Sequence, residues 1–211
     1  MSENVNPENK CANLAIKGQW NDDALNIMMS MQYELQKFYG EKRNSVTPDD
    51  ENKIRIKESL YHWNCFIAEI WELQERINLQ PSTEEDKLEL YMELTDCIHF
   101  LMNMFLYLGY REFEEKLDFY WSWTSPVEYN YKQGLINMVL MWGRTLDELP
   151  YKYWKTYENY EFNTKRVYGY MENMLIHYIN ICKSFGMTKE NFYLFYIAKN
   201  EENYSRQKRG Y

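Results

Sequence analysis

The feature that most constrains the fold of this chain is a run of apolar residues with helical spacing between residues 82 and 109. Its members recur every three or four residues, the period of one face of an α-helix. They are Leu88, Tyr91, Leu94, Ile98, Leu101, Phe105 and Leu108. Ser82 with Glu85 resembles the capping box of a helix start, and Gly109 is typical of a helix end. The sequence therefore predicts a helix from about Ser82 to Leu108 with one buried face.

Similar patterns predict helices along most of the remaining chain. The predicted helices cover about residues 22–39, 53–78, 127–146, 164–185 and 189–207. Only 8 glycines and 5 prolines interrupt the 211 residues, and no long run alternates in the manner of a strand. These observations predict an all-α fold.

The domain organisation follows from the regularity of these patterns. Residues 1–211 are predicted to form a single all-α domain whose core lies at about 22–109 and 164–211. The segment at about 111–161 is less regular and rich in aromatic residues, so we interpret it as a helical insert or cap.

Charge and hydropathy exclude several classes of protein. A net charge of −8 argues against binding to nucleic acid, for which a basic face is expected. No stretch approaches the roughly 18 apolar residues of a membrane span, and the polar start does not resemble a signal peptide. The 4 cysteines are widely separated, which is typical of a reducing cytoplasm. A small anionic substrate would still bind if metal ions or a local basic cluster assisted it.

Two acidic pairs are the main candidates for chemistry. Glu69 and Glu72 are three residues apart in one predicted helix, and Glu93 and Asp96 repeat that spacing in the next. The short connection at Pro81 favours antiparallel packing, which would bring the four carboxylates together. Close carboxylates repel unless a cation lies between them, and Mg²⁺ prefers such oxygen ligands. The alternative is a pair of ordinary solvated helix faces, but both pairs lie beside apolar stripes.

Basic and amide side chains recur near the end of the chain. Lys199, Asn203 and Arg206 fall on one face of the last predicted helix and can donate charge-assisted hydrogen bonds to phosphate oxygens. The alternative interpretation is a solvated basic tail. An exposed tail has no need of the Gly210-Tyr211 ending.

These three segments together resemble a known family. The stretches 68–75 and 93–100 resemble the two acidic helices of the all-α NTP pyrophosphatase superfamily, which includes MazG-type enzymes and the dimeric dUTPases. The stretch 196–211 is similar to the KxxxNxxRQxxGY closing motif of the dimeric dUTPases. The resemblance covers about 24–109 and 165–211.

The resemblance implies a fold and an activity. The core is expected to be a four-helix bundle of the all-α NTP pyrophosphatase type. The expected reaction is Mg²⁺-dependent hydrolysis of dUTP to dUMP with release of pyrophosphate, with dUDP as a second candidate substrate and more than one ion per site. The protein is also expected to be a homodimer and cytoplasmic.

The resemblance also implies roles for individual residues. Glu69, Glu72, Glu93 and Asp96 would bind the metal ions, and Glu69 would be the catalytic base. The phosphates would be bound by Lys199, Asn203, Arg206 and Tyr211. The base and sugar would contact Gln32, Gln36, His99, Phe100 and Asn103, with Gln32 as the candidate reader of the base.

Two departures from the family pattern leave alternatives open. Gln36 stands where many relatives have asparagine, and the aromatic-lysine segment they commonly carry is missing between Arg76 and Pro81. A related pyrophosphatase acting on dCTP or a noncanonical nucleotide is therefore the second hypothesis, and a noncatalytic interaction protein is the third. Phe100 fits either base stacking or core packing, whereas His62 and His177 are interpreted as structural.

Overall fold

The computed structural model describes residues 24–43, 47–49, 52–111, 113, 117–123, 129–149 and 162–210. Those residues form seven α-helices and no β-strand, which confirms the predicted all-α class. In chain order the helices are α1 (Ala24–Arg43), α2 (Asn52–Asn78), α3 (Glu84–Tyr107), α4 (Leu117–Ser122), α5 (Tyr131–Glu148), α6 (Thr164–Ser184) and α7 (Lys189–Lys208).

Helix α3 lies at the centre of the fold and is almost entirely buried in its second half. The predicted stripe is confirmed, since all its members are buried except Leu88, which is partly buried. The predicted capping box is wrong by one residue: Thr83 Oγ1 accepts from the Asp86 amide at 3.0 Å, and the Asp86 carboxylate accepts from the Thr83 amide at 3.0 Å. Asp86 also accepts from the Ser82 amide, so three contacts fix this start. Gly109 ends the helix with φ +87°, a conformation that favours glycine.

Helices α2 and α3 pack side by side and run antiparallel. Arg76 pairs with Glu89 near the connection, and His62 lies 3.3 Å from the Asn103 amide nitrogen farther along. The antiparallel arrangement predicted for the acidic pairs is therefore confirmed. On α2, Phe66 is fully buried whereas Trp63 is only partly buried. Trp63 instead stacks on Trp142 of α5 at 5.1 Å, so α2 contacts helices on two sides.

Helices α1 and α7 cover one side of α3. The Tyr196 hydroxyl of α7 lies 2.9 Å from the Met28 carbonyl oxygen of α1, and Phe38 stacks on Tyr204. Helix α1 continues to Arg43, four residues beyond the predicted end. Its predicted start at about residue 22 lies outside the described residues.

Helices α5 and α6 form a second antiparallel pair. Arg166 Nη1 lies 3.1 Å from Glu148 Oε1 at one end, and Tyr131 packs on Phe185 at the other. Helix α5 begins four residues later than the predicted Val127, because the Asn130 side chain accepts from the amides of Lys132 and Gln133 and caps it.

The aromatic segment predicted to be an insert contributes to the same core as the other helices. One continuous cluster of buried apolar side chains draws members from all seven helices, including Leu117 of α4 and Met138 and Trp142 of α5. Among the described residues, no helix is long and apolar enough to cross a membrane. The described part of the chain is thus a set of helices packed around one central helix, α3.

Candidate functional site

A cleft of about 450 Å³ opens between α1, α2, α3 and α7. It brings together most of the residues that the sequence singles out, and it adds residues that the sequence analysis did not assign. Its lining comprises Gln32, Leu35, Gln36, Tyr39, Gly40, Glu58, Tyr61, His62, Glu69, Glu72, Asp96, His99, Phe100, Asn103, Tyr107, Lys199, Asn203, Arg206 and Gln207.

Three carboxylates form a tight cluster at one end of this cleft, where Glu69 and Glu72 line the cleft and Glu93 adjoins them without lining it. One oxygen from each of Glu69, Glu72 and Glu93 lies within 4.8 Å of the other two. The first two lie one turn apart on α2, and the antiparallel neighbour α3 supplies the third. Partial burial, followed by the charges of Asp96, Glu72 and Glu93, raises the pKa of Glu69 to about 7. Burial, followed by the charges of Asp96 and Glu72, also raises the pKa of Glu93. Such a cluster can hold a divalent cation, which would relieve the repulsion.

Asp96 lies beside this cluster but its carboxylate is already paired. Lys199 Nζ of α7 lies 2.8 Å from Asp96 Oδ1 and 2.9 Å from Oδ2. Burial raises the pKa of Asp96, and Lys199 opposes that shift. The site therefore joins an acidic surface on α2 and α3 to a cation from α7.

The other residues of the C-terminal motif also face the cleft. Asn203 and Arg206 lie one and two turns beyond Lys199 on α7, and both line it. Arg206 Nη2 lies 2.7 Å from Glu202 Oε1. Tyr211, predicted to bind phosphate, lies outside the described residues.

Gln32 lies at the centre of a buried hydrogen-bond network behind the cleft. Its amide nitrogen donates to Asn103 Oδ1 at 2.6 Å. Its amide oxygen accepts from His99 Nδ1 and from the Tyr196 hydroxyl, each at 2.8 Å, and from Asn200 at 3.3 Å. The oxygen is thus held by protein donors, and among the described residues only one N–H of the amide has a partner.

The two histidines of this network are buried and neutral. Burial lowers the pKa of His99 to about 3 and that of His62 to about 4. His99 stacks on Tyr196 with ring centroids 4.4 Å apart, and His62 stacks on Tyr107 at 5.2 Å. These contacts fix the orientation of the amides of Gln32 and Asn103.

Gln36 and Phe100 line the same cleft at different depths. Gln36 is buried, and its amide oxygen accepts from the Tyr107 hydroxyl at 3.4 Å. Phe100 is partly buried, packs against the core and lies 6.0 Å from the His62 ring. It therefore has both a core contact and a surface toward the cleft.

The sequence pattern indicated no functional role for eight of the residues that line the cleft. They are Leu35, Tyr39, Gly40, Glu58, Tyr61, His62, Tyr107 and Gln207. Glu58, Tyr61 and His62 lie seven to eleven residues before Glu69 at helical spacing, so extending the acidic face of α2 backward would have found them.

The fold and this cleft define a class of protein: an all-helical hydrolase with a carboxylate cluster facing cationic side chains across a polar cleft. A family model described as dUTPase matches residues 24–211, and the chain therefore belongs to the dUTPase family. Membership makes it a hydrolase of nucleotide metabolism that converts dUTP to dUMP and pyrophosphate. The dUTPases generally depend on a divalent metal, and the acidic cluster provides a place for one. No curated protein and no solved structure matches the chain.

Proposed function

We propose that this cleft hydrolyses dUTP with Mg²⁺ held by the acidic cluster. The single observation that carries the proposal is that Glu69 and Glu72, which cluster with Glu93, line the same cleft as Lys199 and Arg206. A triphosphate needs cations along its length, and a metal needs several anionic ligands. One cleft that offers both suits a metal-bound nucleotide.

The donor set fits the proposed ion. Mg²⁺ prefers carboxylate oxygens and bridges them to substrate phosphates. The three clustered carboxylates would supply such oxygens, and Asp96 is our candidate for a fourth ligand. Asp96 would exchange its contact with Lys199 for this role, which leaves the lysine for a phosphate.

Glu69 is our candidate for the catalytic base. Mg²⁺, when bound, would neutralise charge on the phosphate chain and polarise the bond that breaks. The pKa of Glu69 lies near 7 in the metal-free site, and a bound cation would lower it. Glu69 would therefore be ionised at neutral pH and able to accept a proton from the attacking water. One oxygen of Glu69 would accept that proton while the other faces the cluster. The proton then leaves with solvent, and dUMP and pyrophosphate are the products.

The α7 side chains are our candidates for binding the phosphates. Lys199 and Arg206 would supply charge-assisted hydrogen bonds, and Asn203 a neutral one. Tyr211, which follows directly in the motif, would complete the set. Substrate would order this end of the chain and exclude water from the cleft. Limited proteolysis near residue 200 should slow when a nonhydrolysable dUTP analogue is added, and unchanged cleavage would contradict this step.

The base and sugar would occupy the cleft beyond the phosphates. Gln32 offers one free N–H toward the ligand, Asn103 lies beside it, and Phe100 can stack on a ring. His99 and Gln36 would position these groups through the hydrogen bonds already described. In this assignment His99 acts through Gln32 and not through the substrate.

We also propose a cytoplasmic homodimer with each chain folded as a single domain. Support for the dimer comes from the family resemblance, and the many tyrosines and tryptophans suit an interface. Sedimentation at micromolar concentration should give twice the mass of the 26.0 kDa chain. A mass near that of one chain would contradict it.

A nucleotide panel tests the proposed substrate. Pyrophosphate release is measured with Mg²⁺ for dUTP, dCTP, dTTP and dATP, and phosphate release for dUDP. We expect dUTP to be preferred. Faster turnover of dCTP or of a noncanonical nucleotide would support the second hypothesis, for which the departure at Gln36 and the missing aromatic-lysine segment argue. Turnover of none would leave the noncatalytic alternative.

A further inference from the structure

Glu58 lies in the cleft at the end away from the acidic cluster. Glu58, Tyr61, His62, Glu69 and Glu72 all line the cleft from α2, at spacings that place them on one helix face. Because an α-helix rises 1.5 Å per residue, Glu58 and Glu69 are separated by about 16 Å along the axis. The cleft thus has a carboxylate at each end, with neutral groups between them.

Within the described part of the chain, no side chain pairs with the carboxylate of Glu58. Among the residues that the structure describes, it makes no hydrogen bond and no ion pair. His62, one turn away on the same face, is neutral at pH 7 because burial lowers its pKa to about 4. Partial burial also raises the pKa of Glu58. Partial burial removes some of the water around this carboxylate, and a ligand N–H would supply a donor in its place.

The charges of the cleft fix the direction in which a nucleotide binds. Lys199 and Arg206 attract phosphates at one end, whereas Glu58 repels them at the other. The antiparallel pairing of α2 and α3 places Gln32, Asn103 and His62 between the two ends. A nucleotide with its phosphates at Lys199 therefore directs its base toward Glu58.

Uracil has hydrogen-bond donors and acceptors that complement these side chains. Its N3–H donor lies between two carbonyl acceptors. A carboxylate accepts only, and the remaining N–H groups of the Gln32 and Asn103 amides donate only. Cytosine has an unprotonated N3 in the same place, which would face the carboxylate lone pairs.

We propose that Glu58 is a specificity-determining residue that accepts a hydrogen bond from N3–H of uracil. The inference rests on the proposed function, because it takes the phosphate end from Lys199 and Arg206. It assigns Glu58 a part in base recognition, in which the carboxylate discriminates uracil from cytosine. It predicts no selection by Glu58 against thymine, which has the same N3–H.

The test compares dUTP with 3-methyl-dUTP, in which a methyl group replaces the N3 hydrogen. For the native protein, kcat/KM should be about tenfold to a hundredfold higher for dUTP than for 3-methyl-dUTP. This is the range for a hydrogen bond to a charged group. Glu58→Ala should accept both substrates about equally. Glu58→Gln should keep part of the preference, because its side-chain oxygen still accepts from N3–H.

Glu75→Ala on an exposed turn of the same helix is the matched control and should keep the full preference. If Glu58→Ala discriminates as strongly as the native protein, the inference is overturned, whereas continued Mg²⁺-dependent hydrolysis of dUTP leaves the proposed function standing. Calorimetric titration of dUMP and 3-methyl-dUMP without metal measures the same preference independently of hydrolysis. Equal binding of both by the native protein would also overturn the inference.

Discussion

Lys199 Nζ lies 2.8 Å from one carboxylate oxygen of Asp96 and 2.9 Å from the other, so α7 is tied to α3 by a cation centred on both oxygens. The lysine side chain is 12% exposed and the aspartate 22%, so solvent screens the pair only weakly. The contact joins the proposed metal ligands to the proposed phosphate-binding helix.

Lys199→Met should therefore destabilise the metal-free protein. It leaves a largely buried carboxylate unpaired, which we expect to cost about 1–3 kcal/mol of unfolding free energy, below the 3–5 kcal/mol of a fully buried pair. Adding Asp96→Asn should recover part of that loss. Urea unfolding of both single variants and the double variant measures the coupling. If the losses of unfolding free energy in the two single variants add up to the loss in the double variant, the pair contributes nothing. Lys208→Met on the exposed end of α7 is the control.

Glu69→Gln should stabilise the metal-free protein in a pH-dependent way. The pKa of Glu69 is about 7 in the folded state against 4.5 for the ordinary group. As pH falls, the folded protein therefore takes up this proton before the unfolded chain does. The contribution of Glu69 to the unfolding free energy rises as pH falls from about 7 to 4.5. The glutamine variant should be more stable than the native protein at pH 8 and similar to it at pH 4.5. The same difference in unfolding free energy between the variant and the native protein at both pH values would contradict the assignment. Glu75→Gln, on an exposed turn of α2, is the control.

His62→Gln should make stability less sensitive to acid. The neutral, buried His62 has a pKa of about 4 against 6.5 for the ordinary group, so unfolded chains take up the proton first. The stability it contributes is complete above pH 6.5 and is lost as pH falls toward 4. The variant's unfolding free energy should fall less steeply in this window, by up to about 1.4 kcal/mol per pH unit. An unchanged slope would contradict burial of a neutral ring. His177→Gln, at a half-buried site with a smaller lowering of pKa, is the comparison.

Trp142→Ala tests whether the aromatic segment belongs to the core. Trp142 is 2% exposed and stacks on Trp63 of α2. The truncation should lower the unfolding free energy by about 3–5 kcal/mol. Circular dichroism and tryptophan fluorescence should report one shared transition at the lower stability, with a smaller loss for Trp142→Phe. Two separate transitions would mean that the segment folds on its own.

The sequence predicted the helices and the acidic pairs well because both depend on local spacing. Helix α3 lies at the centre of the fold, so every member of its apolar stripe is at least partly buried. Helix α2 contacts α3, the cleft and α5, so its buried side chains do not lie on one face: Phe66 is fully buried, whereas Trp63 stacks on Trp142 of α5. The starts of α3 and α5 moved because Thr83 and Asn130 cap them through side-chain contacts that several neighbouring residues could have made.

The part of the site that the sequence did not indicate depends on contacts between helices. The bond from Gln32 to Asn103 and the pairing of Lys199 with Asp96 join positions 71 and 103 residues apart. No local pattern specifies such contacts. The helical spacing on α2 was enough to place Glu58 on the same face as Glu69. The role proposed for Glu58 also depends on its having no partner among the described residues, and only a three-dimensional arrangement shows that.

The central claim is that the carboxylate cluster supports metal-dependent hydrolysis of dUTP. The most direct test is pyrophosphate release from dUTP as Mg²⁺ is titrated, for the native protein, Glu72→Ala, Glu93→Ala and the exposed control Glu75→Ala. We predict release that requires Mg²⁺, a loss of at least about a hundredfold in both cluster variants and no loss in the control. Release that persists without divalent metal, or cluster variants as active as the control, would contradict the account.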